Sequence, residues 1–385
     1  MRKKLKDVCN FYSGTGFPVK HQGEKAGELP FYKVGDIANN ATSGNVYLST
    51  CNNYISYEVA KEIKGTVIPE DVVVFAKIGE ALKLNRRAIT SKKCLIDNNA
   101  MGIGAKKEYL DSHFFYFFMK NLKMESLAES TTVPSVRKSK LEEIEIDIPS
   151  FEIQKNISKI LRKLENIIKD RQSQILKFDM LVKARFVEMF GNLREGECKG
   201  IKLGELCNTV SGGTPSTKFA EYYEGDIPWI TTTSLGPNHI DGTTAKAFIT
   251  KKAIDNSATK LIPAGNILFG TRVGVGKSSL NDVDICTNQD IAAIVGIDEN
   301  RFNKLFIKYV LDFYQPYYNS IKKGATILGI TSDDLKNTIV PDVSLCKQNA
   351  FETFVEQIDK SKVAIQKSLA ETQLLFDKLM QDYFG

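Results

Sequence analysis

The chain states one phrase twice, and that duplication constrains its fold more than any other feature. Residues 4–18 read KLKDVCNFYSGTGFP and residues 202–216 read KLGELCNTVSGGTPS. Six of the fifteen positions agree without a gap: Lys4 with Lys202, Leu5 with Leu203, Cys9 with Cys207, Asn10 with Asn208, Ser13 with Ser211 and Gly14 with Gly212. At the same offset of 198 residues, LPFYKVGDI (29–37) faces IPWITTTSL (227–235), with Phe31 against Trp229. VIPEDVVVFAKIG (67–79) then faces LIPAGNILFGTRVG (261–274), DNNAM (97–101) faces TNQDI (287–291), and TTVPSVRKSKL (131–141) faces ATILGITSDDL (325–335). Last, Gln154 faces Gln348, and EMFG ending at Gly191 faces DYFG ending at Gly385, both at offset 194. Landmarks in the same order mark a duplication. A repeat of this length exceeds any solenoid unit, so each copy is a domain with something attached.

The attachment is helical. From Phe151 to about Phe190 there is no Pro or Gly, and apolar residues recur at Ile157, Ile160, Leu164, Ile167, Ile175, Phe178 and Val182, with a discontinuity near Arg171. The second copy places Phe351, Phe354, Ile358, Ile365, Leu369, Phe376 and Leu379 in the same manner. Steps of three and four are the seam of a coiled-coil-like helix, here a rod of about 57 Å. A long helix lying on its own domain is the alternative; a seam on both copies favours packing between the helices. Helix one delivers the chain through GNLREGECKG to the second domain, so helices that pack along their lengths must run antiparallel, with a domain at each end and a pseudo-twofold axis between. The expected fold is therefore α+β: two mixed α/β domains (1–149 and 200–343) joined by two long antiparallel coiled-coil-like helices (150–191 and 344–385), with a linker at 192–199. Short β-rich runs between Gly, Asn and Pro, with local helices near 112–128 and 303–322, suit such domains.

Composition narrows the chemistry. The 385 residues are enough for two full cores, and a formal charge of +6 is compatible with a polyanion partner without demanding one. The basic start MRKKLKDVCNFYSG has no apolar run behind it, so no signal peptide is expected, and no stretch reaches membrane-spanning length. Seven scattered cysteines, never spaced CxxC, read as reduced thiols of a cytoplasmic protein, and the three histidines form no metal-ligand pattern, so no metal site is expected. GTRVGVGKSS (270–279) evokes a phosphate loop, but Thr stands at 271 where that motif needs Gly, and the first copy lacks Gly-Lys-Ser. The Asn/Asp-Pro-Pro-aromatic loop of amino-methyltransferases, GxSxG and HExxH are all missing. By itself the chain looks catalytically empty.

Each half does carry polar loops at matching places. Lys77, Lys83, Arg86 and Arg87 face Arg272, Lys277 and Ser278; Asn98 and Asn99 face Asn288 and Gln289; and Thr231, Thr232 and Thr233 follow the second aromatic strand. Asn and Gln amides pair with adenine edges, Arg with guanine, and Lys serves phosphates. Solvated loop residues are the bland reading of any one of them, and Asn98 and Asn288 could equally be turn or cap residues.

These landmarks, ordered and repeated across nearly the whole chain, resemble the DNA-specificity subunits of type I restriction-modification systems, in which two target recognition domains alternate with two helical spacers. One departure is FAKIGEALKLNRR, which lacks the small-Gly-Lys ending of RVGVGKSS. The resemblance implies a non-catalytic subunit that reads an asymmetric bipartite site on double-stranded DNA. It also implies two methyltransferase subunits on the spacer helices, bringing S-adenosylmethionine and methylating adenine at N6. No cofactor is expected in this chain itself. Two restriction subunits can join such complexes. A solitary methyltransferase complex without restriction, and a coiled-coil scaffold that binds only proteins, are the alternatives.

Overall fold

A computed structural model describes residues 1–129, 133–193, 199–324 and 326–385, so Thr131, Thr132, part of the linker and Ala325 lie outside the described residues. The chain divides into two compact units, residues 1–174 with 365–385 and residues 175–364.

In the first unit the run Val72–Ala76 is buried throughout, as expected of a β-branched strand covered on both faces. It lies inside an antiparallel sheet in the order Cys9–Ser13, Ala100–Ala105, Val72–Ala76, Ala88–Ile89. Because side chains alternate across a strand, Val73 and Phe75 enter one core with Phe114, Phe115 and Phe117, whereas Val72 and Val74 enter another with Tyr32, Ile68 and Ile96. A second sheet runs Tyr54–Ile55, Leu29–Tyr32, Leu95–Ile96, its last pair parallel. The helix Ser112–Asn121 is capped by Asp111, whose carboxylate accepts from the backbone N–H groups of His113 and Phe114.

The second unit repeats this wiring. Its larger sheet runs Asn208–Ser211, Ile291–Val295, Ile267–Gly270, Ser278–Asn281, His239–Ile240, and its smaller one Ala247–Ile249, Ile227–Ile230, Ile285–Thr287, Leu261–Ile262. The parallel pair recurs too: Phe31 faces Leu95 in one unit and Trp229 faces Cys286 in the other. Asn303 caps the helix Lys304–Ser320. The duplication is thus one of topology as well as of sequence.

The long helices are Phe151–Phe190 and Leu345–Phe384, 40 residues each. Each begins against its own domain through one buried glutamine. The Gln154 side-chain carbonyl accepts from Asp111 N–H at 2.8 Å while its amide donates to the Tyr109 and Pro149 carbonyls, both at 3.0 Å. Gln348 makes the same three bonds to Asn303 N–H (2.8 Å) and to the Arg301 and Val343 carbonyls. Within the first unit Lys120 pairs with Glu165 and lies over Phe376, and Arg171 donates to Ser368 O at 2.7 Å and to Thr372 Oγ1. Within the second, Asp179 pairs with Lys362 at 2.7 Å, and the Phe186 and Phe190 rings each lie 5.5 Å from Phe351. Ascending positions on one helix meet descending positions on the other, so the helices are antiparallel.

Ile157, Val182, Phe351, Ile358 and Phe376 are buried, and Leu164, Ile167, Ile175, Phe178, Phe354, Ile365, Leu369 and Leu379 are half-buried. Ile160 is a correction: it is 44% exposed, and Leu161, one residue on, is buried in its place. Gln154, Ile157, Leu161, Leu164 and Ile168 keep the three-four spacing, and Ile160 falls beside that stripe. Phe186, Phe190, Val355 and Met380 add packing that the heptad reading left out.

Candidate nucleic-acid interface

In each unit three loop segments are tied together by main-chain hydrogen bonds. The strand Val72–Ala76 exits at Lys77, whose N–H donates to Asn99 O at 2.9 Å and whose carbonyl accepts from Val136 N–H at 3.0 Å; Gly79 N–H donates to Pro134 O. In the second unit Thr271 N–H donates to Asp290 O at 2.8 Å, and Thr271 O accepts from Ile330 N–H at 2.9 Å. A strand exit (77–79 or 271–273), an amide loop (97–99 or 288–290) and a turn (133–136 or 327–330) are therefore joined in one cluster.

The glycine of the repeated phrase supports the amide loop. A Cβ on Gly14 would lie 1.8 Å from Asp97 O, and one on Gly212 would lie 2.2 Å from Asn288 O. The next residue in each case donates to the strand behind the loop, Thr15 N–H to Ile96 O and Gly213 N–H to Thr287 O, both at 2.8 Å. Only a residue without a side chain lets the backbones approach this closely.

These bonds also fix the correspondence between the two amide loops. Asp97 N–H donates to Tyr32 O and its carbonyl accepts from Ala100 N–H; Asn288 N–H donates to Ile230 O and its carbonyl accepts from Ile291 N–H. Asp97 thus matches Asn288, Asn98 matches Gln289, and Asn99 matches Asp290, a shift of one residue from the sequence matching. Asp97 and Asn288 hold the loops from within. The Asp97 carboxylate accepts from Asn99 N–H and Val34 N–H, and the buried Asn288 amide donates to Asp290 at 3.0 Å. Asn98, Asn99 and Gln289 face solvent, and Thr214 donates to the Gln289 carbonyl oxygen. Asn288 is accordingly a loop-bracing residue rather than an offered one.

The cations divide similarly. Arg272 is half-exposed, with its guanidinium 3.7 Å from the Asp290 carboxylate, and Lys277 is exposed at the foot of the same loop. That loop joins two antiparallel strands, Ile267–Gly270 and Ser278–Asn281, with Gly274 and Gly276 at positive φ. It opens no helix, so the phosphate-loop reading has no helix N-terminus to offer an anion. Lys77 and Arg86 are half-buried, and Lys83 is exposed beside Glu80 at 2.8 Å, which raises its pKa.

Arg87 contradicts expectation. It is 3% exposed, donates to Asn85 Oδ1 at 2.7 Å and to the Arg86 and Leu122 carbonyls, and stacks 5.0 Å from the Phe75 ring. Burial lowers its pKa to about 10. Ser278 is likewise buried, donating to Asp312 at 2.6 Å, and Thr232 is buried in the turn Thr232–Ser234. Thr231 and Thr233 are hydrogen-bonded to each other at 2.9 Å, with Thr233 exposed. Burial could not be read from residue type in these loops, because Arg, Ser and Thr serve both inside and outside. The exposed apolar residues of the third segment, Val133, Ile327 and Leu328, carry no polar signal in the sequence, although their segments are among its repeated landmarks.

Among the described residues no group of His, Cys, Asp and Glu could hold a metal ion, and no helix is long and apolar enough to cross a membrane.

Comparison with known proteins agrees with this architecture. The family model described as "Type I restriction modification DNA specificity domain" matches residues 1–177 and again 195–373. The EcoR124I/EcoR124II specificity subunit of Escherichia coli is 28% identical over 202 residues, 50% of this chain and 48% of that one, so the match spans about half that relative's length. Among solved structures, the S subunit of a type I restriction-modification system from M. genitalium covers 100% of this chain and 96% of its own, with TM-score 0.58 and 15% identity. A chain from a type I R-M system, solved for its complex assembly and conformational transition, covers 100% and 97% with TM-score 0.61 and 17% identity. At such identities the structural likeness speaks for the fold.

Proposed function

The chain belongs to the type I restriction-modification DNA specificity family, and from that premise we propose that it is the subunit that reads the DNA site for a cytoplasmic adenine-methylating complex. Each unit reads one half of a bipartite site on double-stranded DNA. Two methyltransferase subunits, carrying S-adenosylmethionine, dock on the long helices and methylate adenine at N6. Restriction subunits are an addition to that core.

The observation that carries the reading is the duplicated three-segment loop cluster. Two of its main-chain bonds recur in both units, strand exit to amide loop and turn to strand exit, while its exposed side chains differ: Asn98 and Asn99 in one, Arg272, Lys277 and Gln289 in the other. Equal scaffolds with unequal polar fillings suit two half-sites of different sequence. Amides and Arg match base edges and Lys matches phosphates. The long helices set the unread gap between the half-sites.

Co-expression with a type I methyltransferase subunit from the same genome, followed by genome-wide mapping of methylated adenines, tests the proposal. A single bipartite motif with an unread centre is expected. Absence of any motif, together with no salt-dependent retention of DNA by the complex, would favour a protein-binding scaffold instead.

A further inference from the structure

The third segment of each cluster presents an apolar residue to solvent. Val133 is 56% exposed and Ile327 53% exposed, and they stand at one offset of 194 residues. Leu328, next in the chain, is exposed too, as is Val273 on the strand exit. Neither turn is loose. The bridge between Ile78 and Ser135 and the bond from Val136 N–H to Lys77 O fix the first. The second is fixed by Lys323 N–H to Gly329 O at 2.8 Å, Gly329 N–H to Lys323 O at 3.0 Å, and Ile330 N–H to Thr271 O. A Cβ on Gly329 would lie 2.7 Å from Thr271 O, so this turn is pressed against the strand exit that carries Arg272.

We propose that Val133 and Ile327 each read a thymine, packing on its 5-methyl group in the major groove. This rests on the proposed function and adds a contact to it. An apolar tip of one to three residues is too small for a protein partner, and its turn carries cations that suit a polyanion: Lys322 and Lys323 precede Ile327 in the chain, a Cβ on Gly329 would lie 2.9 Å from the Arg272 side chain, and Lys77 O accepts from Val136 N–H in the first unit. The tip is also continuous, through main-chain bonds, with the amide and cation loops that the proposed function sets against base edges. Along the major groove the one apolar group that a base edge presents is the thymine methyl. A short β-branched side chain in a fixed turn matches that methyl in size and loses little rotamer freedom on contact.

The test uses the complex with its methyltransferase and duplexes bearing the mapped site, with each thymine in turn replaced by deoxyuridine, which keeps the base pair and removes the methyl. One thymine in each half-site should be sensitive, its replacement weakening binding about fourfold, the size expected for one buried methyl group. Ile327→Ser should erase the sensitivity in the second unit's half-site alone, and Val133→Ser in the first unit's alone. Melting curves of both variants should match wild type, since both side chains are exposed. A wild-type complex indifferent to every deoxyuridine overturns the inference, as does a variant that retains the sensitivity. Equal weakening of all duplexes by Ile327→Ser would indicate a wedge between base steps, and also overturns it. Each of these leaves the bipartite motif intact, so they are distinct from failure of the proposed function, which would show as no motif at all.

Discussion

Replacing Gly14 or Gly212 by alanine should damage one half-site and spare the other. Each glycine lies flat against the carbonyl of the first amide-loop residue, and an added Cβ would stand 1.8 Å from Asp97 O or 2.2 Å from Asn288 O. Ordinary contact needs about 3.4 Å or more, so the amide loop must retreat by roughly 1.2–1.6 Å. Backbone offers no rotamer through which to escape. Overpacking of this kind costs about 1–3 kcal/mol, and loosening the adjacent bond from Thr15 or Gly213 adds about 1 kcal/mol. A total of about 2–4 kcal/mol lowers the melting temperature of a unit this size by about 6–12 °C. Gly14→Ala should lower the first unit's transition and blur the bases read by that unit; Gly212→Ala should do so for the second. Gly16→Ala is the control, because nothing lies within 4 Å of its Cβ position. Scanning calorimetry and methylated-adenine mapping on the same variants decide the matter. If Gly14→Ala behaves like Gly16→Ala in both, the glycine does not position the amide loop.

Arg272→Ala should relax one position of the second half-site at a cost of about 1–3 kcal/mol, whereas Lys277→Ala should weaken all sequences alike and lower the salt slope by about 1; filter binding over a salt series separates them. Arg87→Met should lower unfolding stability by about 1–3 kcal/mol, through carbonyls left without a donor, while DNA affinity and salt slope stay unchanged. Burial, with Arg162 second, lowers the His113 pKa, so the folded imidazole resists protonation. Its stability contribution is present above the unfolded value of about 6.5 and is lost as pH falls through the folded one. Urea midpoints at pH 7.5 and 5.5 should therefore drop more for wild type than for His113→Gln. Four residues inserted after Gln174 add about 6 Å of helical rise, so the unread gap should widen by at most about two base pairs with both half-sites unchanged; altered bases at a constant gap, seen in the methylome, would mean the helices do not set it.

What was legible in the sequence is what the fold holds by shape. Gly14 and Gly212, Gln154 and Gln348, Phe31 and Trp229 recur because each fills a position that few residues can fill: a backbone crossing without room for a side chain, a buried amide with three main-chain partners, a buried ring on the strand of the parallel pair. Such demands act on residue type, so two copies keep them while the rest diverges. The exact face of the long helices was less legible, since Ile160 and Leu161 are equally apolar and only the bonds of Gln154 and the position of the domain choose between them.

The loops were least legible, for a reason that also bears on function. A polar residue near the amide loop satisfies the fold whenever it reaches a main-chain group, and satisfies a ligand whenever it does not; composition is the same in both cases. Arg87 was spent on Asn85, Leu122 and the Phe75 ring, and Asn288 on Asp290, while Arg272, Asn98 and Gln289 kept outward faces. The one-residue shift between the amide loops follows from the same division, because main-chain bonds rather than side chains define the register. Once those bonds are counted, the side chains left over form a cation, an amide and an apolar tip in each unit, three chemistries that suit different features of a nucleic acid, its phosphates or guanine, its base edges and its thymine methyls. A scaffold that fixes the positions by main-chain bonds can exchange the side chains at little cost in stability, and that freedom is what a protein reading two unlike half-sites with one repeated domain requires.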